Sequence, residues 1–513
     1  MTILDINEIL GYGITEQPTE YNSEEELIKW LKYDLLQQAN NKGKIANKNN
    51  IIIIADKEEY DYTLNIGKEM NIFETIINFD FNFISIMNSI KNVYNNNCEI
   101  YYIINSCNVI FHMNVYFYNC IFHNKIYFSY SKFKNYTIFS SIIFNNILYF
   151  LTTECNQIDF VDIKFSNKAK FAYSIFNHIN MQQISFYDLI DFYSSRFINK
   201  FIFNVNIYND IEIIFYYSIF EEDSYFTINN IHNNCFYKVK FDFSLIEINK
   251  NIIFENIKID SLILDHLKFL NNDSSLSILN NINDYNEINN ISLQNINICG
   301  RLYIYNTKVN IIDFKASVIN GGFINPVNFK VDKFANRESA LFLKNEAYAR
   351  NNAIDALEYK AKEIECHKDD LMKSAKDIIQ NKEYSFSKKI KELYKIVGDI
   401  ASIYLSSLYS DNGHNWIKAL FMTIFITIIC FTVFYIPDLT KANIIRLYYK
   451  NLFPELIKYF IPTDYSLIIK YASSKLNLFL KIFGVLVYFL GKVLFWYGSV
   501  QTVQAFRKFA KGA

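Results

Sequence analysis

The chain has 513 residues, enough for two to four structural units. Its 51 basic and 52 acidic residues leave a net charge of -1, so there is no global field for gripping duplex DNA or for mimicking it. With only 5 prolines and 13 glycines among abundant Ile, Asn, Phe and Tyr, the composition excludes a disordered chain and fits a strand-rich one.

The N-terminal stretch MTILDINEILGYG has no basic region leading into an apolar run. No signal peptide is expected, and the β-rich domain of this chain is expected in the cytoplasm. Residues 1–95 carry a helical pattern at Glu24–Leu36, with Leu27, Ile28, Trp30, Leu31 and Leu35 at helical spacing, and a short apolar run at Ile51–Ala55 suited to a strand. This reads as a small α/β cap over the open end of the next domain, where exposed strands would otherwise add to one another.

From Phe117 a phenylalanine returns every five, then every six residues: Phe122, Phe128, Phe133, Phe139, Phe144 and Phe150, then Phe160, Phe165, Phe171 and Phe176. The beat slips near Phe215 and resumes through Phe220 and Phe226. Small residues stand two positions ahead of many large ones: Cys120, Ser131, Thr137, Ala169, Ser174, Ser195, Ser218 and Ser224. A beat this long predicts a chain winding around one axis over a stacked phenylalanine interior, with Asn-rich turns outside. After Ile246 the large positions become Ile and Leu (Ile257, Ile259, Leu262, Leu264, Ile291, Leu293, Ile296), which predicts continued winding over an aliphatic core.

The run FYNCIFHNKIYFSYSKFKNYTIFSSIIF at Phe117–Phe144, repeated as FAYSIF at Phe171–Phe176, resembles the pentapeptide-repeat proteins in their F-x-x-small-x-F form. The resemblance implies a right-handed, roughly square β-helix with four short faces per coil. It departs from the family's commonest form, in which Leu is central. At about 22 residues per coil and a rise of roughly 4.8 Å, residues 96–330 predict about ten coils and a rod on the order of 50 Å long.

Eight cysteines form no C-x-x-C pair, and Cys120 occupies a small inward station, so buried reduced thiols are expected and no metal site. Residues 331–412 read as a helical hairpin, with a turn at Asn351–Asn352, and then an amphipathic helix over Ser387–Leu408. This segment resembles the junction joining β-helix to membrane in membrane-attached pentapeptide-repeat proteins. Lys388, Lys389, Lys391 and Lys395 cluster at the start of the amphipathic helix, where anionic headgroups would attract them; a solvated helix face is the alternative.

Residues 413–513 form the membrane region. Ile417–Ile436 and Leu478–Val500 are each long enough to cross a bilayer, with Trp416 and Trp496 as interfacial aromatics and Arg507 and Lys508 as a basic anchor. Between them, Lys441, Arg446, Lys450, Lys458, Lys470 and Lys475 outnumber Asp438, Glu455 and Asp464, which argues for interfacial or re-entrant helices over 443–475. Lys481 and Lys492, eleven residues apart, share a helix face with Tyr488 and Ser499 nearby, and Gly484 and Gly491 allow close helix approach. Two lysines inside a span predict either a pore wall in a homo-oligomer, a tetramer being plausible, or packing in which Lys481 snorkels and Lys492 finds a partner.

No catalytic constellation emerges: the histidines are dispersed, and Glu358, Glu363 and Glu365 read as a salt-bridged solvated face. No cofactor is expected. Arg337, Lys344, Arg350 and Lys360 form a modest basic cluster that, with Tyr348 and Tyr359 as stacking groups, is a candidate site for a nucleotide or oligonucleotide, an ordinary helix surface being the alternative. The expected protein is thus a bacterial inner-membrane homo-oligomer with a cytoplasmic β-helix. Its preferred role is a channel-type effector in stress or antiviral defence, gated by that domain; the alternative is a membrane-anchored protein-binding scaffold.

Overall fold

The computed structural model describes residues 13–14, 16–41, 69–71, 75–83, 85–86, 98–100, 103–230, 238–280, 286–380, 385–439, 452–461, 464–472 and 477–510. The expected strand at Ile51–Ala55 lies outside them. The chain divides into two units, Met1–Lys333 and Phe334–Ala513.

The first unit is a parallel β-solenoid of about ten turns. In-register partners step from Phe117 to Phe139, Phe160, Met181, Phe203 and Phe226, that is by 21 to 23 residues per coil. The next step, Phe226 to Phe254, takes 28 residues. The slip near Phe215 falls earlier, in the 23-residue step from Phe203 to Phe226, and the stack continues through it with Phe215 on Phe192 at 4.8 Å.

Stacking explains why the large stations are phenylalanine. Phe117 lies on Phe139 at 4.6 Å with the ring planes 3° apart, Phe139 on Phe160 at 5.0 Å, and Phe171 on Phe192 at 4.8 Å. Those separations are the strand repeat itself, so a flat ring fills the interior once per coil and leaves no gap above it. Ile257, Leu262, Leu264, Ile291 and Leu293 take over the buried stations farther along, and the aliphatic core is observed as expected.

The small inward residues are more than space-savers. Ser174 Oγ donates to Phe150 O at 2.6 Å and accepts from Thr153 N at 3.0 Å; Ser195 Oγ donates to Phe171 O at 2.8 Å and Ser218 Oγ to Phe192 O at 2.8 Å. Each hydroxyl stitches a buried corner to the coil beneath, where water cannot reach. Opposite requirements rule the outer corners: Asn108, Asn119, Tyr130, Ser141, Thr152, Asp162 and Tyr173 all have φ between 48° and 60°. One left-handed residue every ten or eleven positions turns the strand, and asparagine is the non-glycine residue that tolerates it best.

Winding starts ahead of residue 96. Glu20–Tyr21 pairs with Ile76–Ile77, which pairs with Ile110–Phe111, and Glu69–Asn71 pairs with Ile103–Asn105. Helix α1 (Glu24–Asn41) packs on the strands Glu20–Tyr21 and Glu69–Asn71 with Leu27, Trp30 and Leu31 buried, so the N-terminal segment contributes rungs as well as a helix. Strand pairing also passes Pro326, which sits opposite Ile304, and ends at Lys330–Phe334.

The second unit is helical: α2 (Arg337–Ala349), α3 (Ala353–Gln380), α4 (Phe386–Ser410), α5 (Trp416–Leu439), α6 (Leu452–Phe460), α7 (Ser466–Ala472) and α8 (Leu478–Ala510). Two of them, over Trp416–Tyr435 and Leu478–Phe506, are long and apolar enough to cross a membrane.

Candidate functional site

The neck begins with Asn336, whose side chain accepts from Ser339 N at 2.9 Å and caps α2. Asn351, at φ 59°, makes the turn, and Asn352 Oδ1 accepts from Asp355 N at 3.2 Å to cap α3. The predicted hairpin is present. Leu343, Ala347, Ala356 and Tyr359 are buried within it.

The basic cluster expected to bind a nucleotide is largely occupied. Lys344 Nζ lies 2.6 Å from Glu363 Oε2 and Arg337 3.4 Å from Glu363 Oε1, while Arg350 lies 3.7 Å from Glu346. Glu363, read from sequence as a solvated-face carboxylate, is 8% exposed and is the anion that unites α2 with α3. Tyr359 stands edge-on to Phe334 at 5.8 Å, and burial pushes its phenol above the usual range, so it is a core ring and no platform for a base. Tyr348 and Lys360 remain exposed on the surface.

The long apolar helices α5 and α8 pack antiparallel, Trp416 meeting Phe506 at one end and Phe434 meeting Tyr488 toward the other. A Cβ added at Gly484 would strike Tyr471, at Gly491 Tyr459, and at Gly498 Thr423 and Tyr409. Gly484 and Gly491 thus admit neighbouring aromatic side chains, and Gly498, not singled out from sequence, does the same.

Lys492 is 4% exposed. Its ammonium donates to Tyr459 O at 2.6 Å and Ile461 O at 2.7 Å, carbonyls at the C-terminal end of α6, with the Tyr459 and Tyr488 rings 5.0 and 5.3 Å away. A cation at the negative end of a helix, between two aromatic faces, is held by dipole, hydrogen bonds and quadrupole together. Tyr488 Oη donates to Asp464 O at 2.6 Å. Hydrogen bonds from Ser466 hold the Asp464 carboxyl below its usual range, which keeps it ionised in the same turn. Two of the four residues expected to line a pore, Lys492 and Tyr488, are therefore interior to the chain, holding Tyr459, Ile461 and Asp464 onto α8. Ser499 Oγ donates to Phe495 O at 2.9 Å along its own helix, and Lys481 is half-buried.

A second polar group joins α5 and α8 to α4. Ser410 Oγ donates to Gln501 Oε1 at 2.8 Å, Gln501 Nε2 to Tyr497 Oη at 3.1 Å, and Tyr409 Oη to Leu494 O at 3.1 Å. Lys418 Nζ caps the end of α4 through Ser407 O and Asp411 Oδ1, at 3.1 and 2.5 Å. Thr423 and Thr427 bond back along α5 to the carbonyls four residues earlier. The outward faces carry Phe421, Phe425, Leu486, Leu490 and Val493, the surface a hydrocarbon solvent favours.

Of the residues expected at a membrane interface, Trp416 is half-buried on Phe506 and Trp496 is exposed. Arg507 and Lys508 fall in the last turns of α8, with side chains outside the described residues. Sequence reading missed Tyr459 as the partner of Lys492 and Ser410 as the partner of Gln501. A buried cation demands an acceptor within reach, but nothing local names an acceptor 33 residues away. Comparison with protein-family models, with curated proteins and with solved structures finds no match to this chain.

Proposed function

We propose that this chain is a membrane-anchored β-solenoid scaffold, held in a bacterial inner membrane by α5 and α8, with the solenoid on the cytoplasmic side offering its flanks to a protein partner. The rung geometry and inward small residues support placing the solenoid among the pentapeptide-repeat type. One observation carries the scaffold reading over the channel reading. Lys492, Tyr488, Gln501, Thr423 and Thr427 are turned inward and hydrogen-bonded, which leaves an apolar exterior suited to lipid. A span that satisfies its polar groups within its own chain has little left to wet a pore.

The channel reading, a homo-oligomeric effector gated by the solenoid, keeps support from Lys481 and Ser499, both only half-buried on α8. Flux measurements separate the two. Under the scaffold reading, liposomes reconstituted with the full chain leak no faster than empty ones, and replacing residues 411–513 by an unrelated two-span anchor preserves the partners labelled near the solenoid. An ion leak whose selectivity changes with Lys481→Glu overturns it in favour of the channel.

A further inference from the structure

Helix α4 carries a largely exposed apolar stripe, which α3 reaches at Tyr404, whose ring lies 5.3 Å from Lys368 Nζ and whose hydroxyl lies 3.8 Å from Met372 Sδ. Phe386, Ile390, Tyr394, Val397, Tyr404 and Leu408 follow one another at helical spacing along one side and are 80, 52, 83, 55, 50 and 48% exposed. Another flank of α4 rests on α3, where Lys389 Nζ donates to Ile379 O at 2.7 Å. Its C-terminal turn is fastened to the spans through Tyr409, Ser410 and Asp411, near the level at which Trp416 meets Phe506. The first ten residues of α4, 386–395, carry Lys388, Lys389, Lys391 and Lys395 against Glu392 alone, four positive charges to one negative, a net +3.

We infer that α4 lies on the anionic headgroup surface of the bilayer that its own spans cross, with the apolar stripe in the acyl boundary and the lysines reaching the phosphates. The inference rests on reading α5 and α8 as membrane spans. Three features point to lipid as the occupant. Aromatic and aliphatic groups share the stripe, Lys389 and Lys391 flank it and Lys388 and Lys395 stand on the opposite face, the apolar-and-basic division of a helix lying in an interface. Lys395 Nζ pairs with Glu392 at 2.9 Å and Lys389 is held on α3, and the net positive charge left on this end of the helix is matched by a leaflet rich in phosphatidylglycerol. And the helix is tethered at the membrane by its own chain, so docking costs no association from solution.

A second copy of the chain fits the stripe less well. Parallel pairing would set the lysine cluster against itself, and antiparallel pairing would set it against the turns around Ser402, Ser406 and Ser407, whose nearest carboxylate on the helix, Asp399, stands on the face opposite the stripe. Asp411 at that end is already engaged by Lys418.

The test uses the full chain in nanodiscs containing brominated phosphatidylcholine, with or without phosphatidylglycerol. Tyr394→Trp, at an 83%-exposed position, adds one reporter to Trp30, Trp416 and Trp496. The expected result is excess quenching of Tyr394→Trp over the wild-type chain when phosphatidylglycerol is present. That excess falls by roughly fivefold in docking equilibrium on Lys391→Gln, and by less on Lys395→Gln, whose ammonium already pairs with Glu392. It also weakens at 1 M salt, where the screening length is about 3 Å.

Equal fluorescence of variant and wild type in the anionic discs, with the wild-type tryptophans themselves quenched, overturns the docking while leaving the spans inserted. Absence of any wild-type quenching overturns the span reading. Efficient crosslinking between copies through Tyr394→Cys, indifferent to lipid charge, overturns docking in favour of a subunit seam.

Discussion

Replacing Lys492 by Met keeps the length of the side chain and removes its charge. Two hydrogen bonds from an ammonium to the Tyr459 and Ile461 carbonyls are lost, each worth about 1.5–3 kcal/mol. Part of that loss is offset, since the variant no longer buries a cation. The carbonyls at the end of α6 are left without a donor, so a net cost of about 3 kcal/mol falls on the contact between the inter-span helices and α8. Local opening of residues 452–461 and 464–472 should then be roughly a hundredfold more frequent. Hydrogen exchange followed by mass spectrometry in nanodiscs reads this directly. Peptides from residues 103–230 serve as the internal control, since the solenoid is a separate unit. Unchanged exchange in α6 and α7 would refute the clamp. Unchanged exchange together with an altered ion leak would show the ammonium facing a water path.

In the solenoid, Phe160→Ala opens a cavity in a stack of rings and should cost about 3–5 kcal/mol by chemical denaturation. Phe160→Met should cost less than about 1.5 kcal/mol, because Met181 already fills the next station of that stack. Ser174→Ala strands the Thr153 amide and should cost about 1–3 kcal/mol, well beyond the effect of deleting one exposed hydroxyl. Thr152→Asn, at φ 55°, should raise stability by about 1 kcal/mol, since asparagine accepts the left-handed corner more readily than a β-branched residue. In the neck, Glu363→Gln leaves Lys344 and Arg337 without their shared anion and should cost about 3 kcal/mol, read as an earlier loss of helical signal on heating the full chain.

Much of this architecture was legible along the chain because a solenoid is nearly one-dimensional. Phe139 stacks on Phe117 and Phe160, its equivalents one coil away, so periodicity in sequence is periodicity in space. Inward and outward stations, the hydroxyl positions, the helical hairpin and two bilayer-length helices could all be marked in advance, each depending on neighbours at a fixed offset. The 28-residue coil blurred the signal because extra residues delay the beat without disturbing the stack. The N-terminal rungs at Glu20–Tyr21 and Ile76–Ile77 were hidden for a related reason, being too short to show a period.

The fate of the charged groups was a different matter. Lys481 and Lys492 share a face on a helical wheel, yet Lys492 is enclosed by Tyr459, Ile461 and Tyr488 while Lys481 is half-buried. Glu363, one carboxylate among several on α3, is the one enclosed by two cations from α2. Composition and spacing alone determine the winding, the dry stacked interior and the two long apolar helices, since each arises from repetition or length. Which cation meets which acceptor depends on side chains brought together from distant segments, and the free energy of a buried charge is decided by those few neighbours within hydrogen-bonding distance.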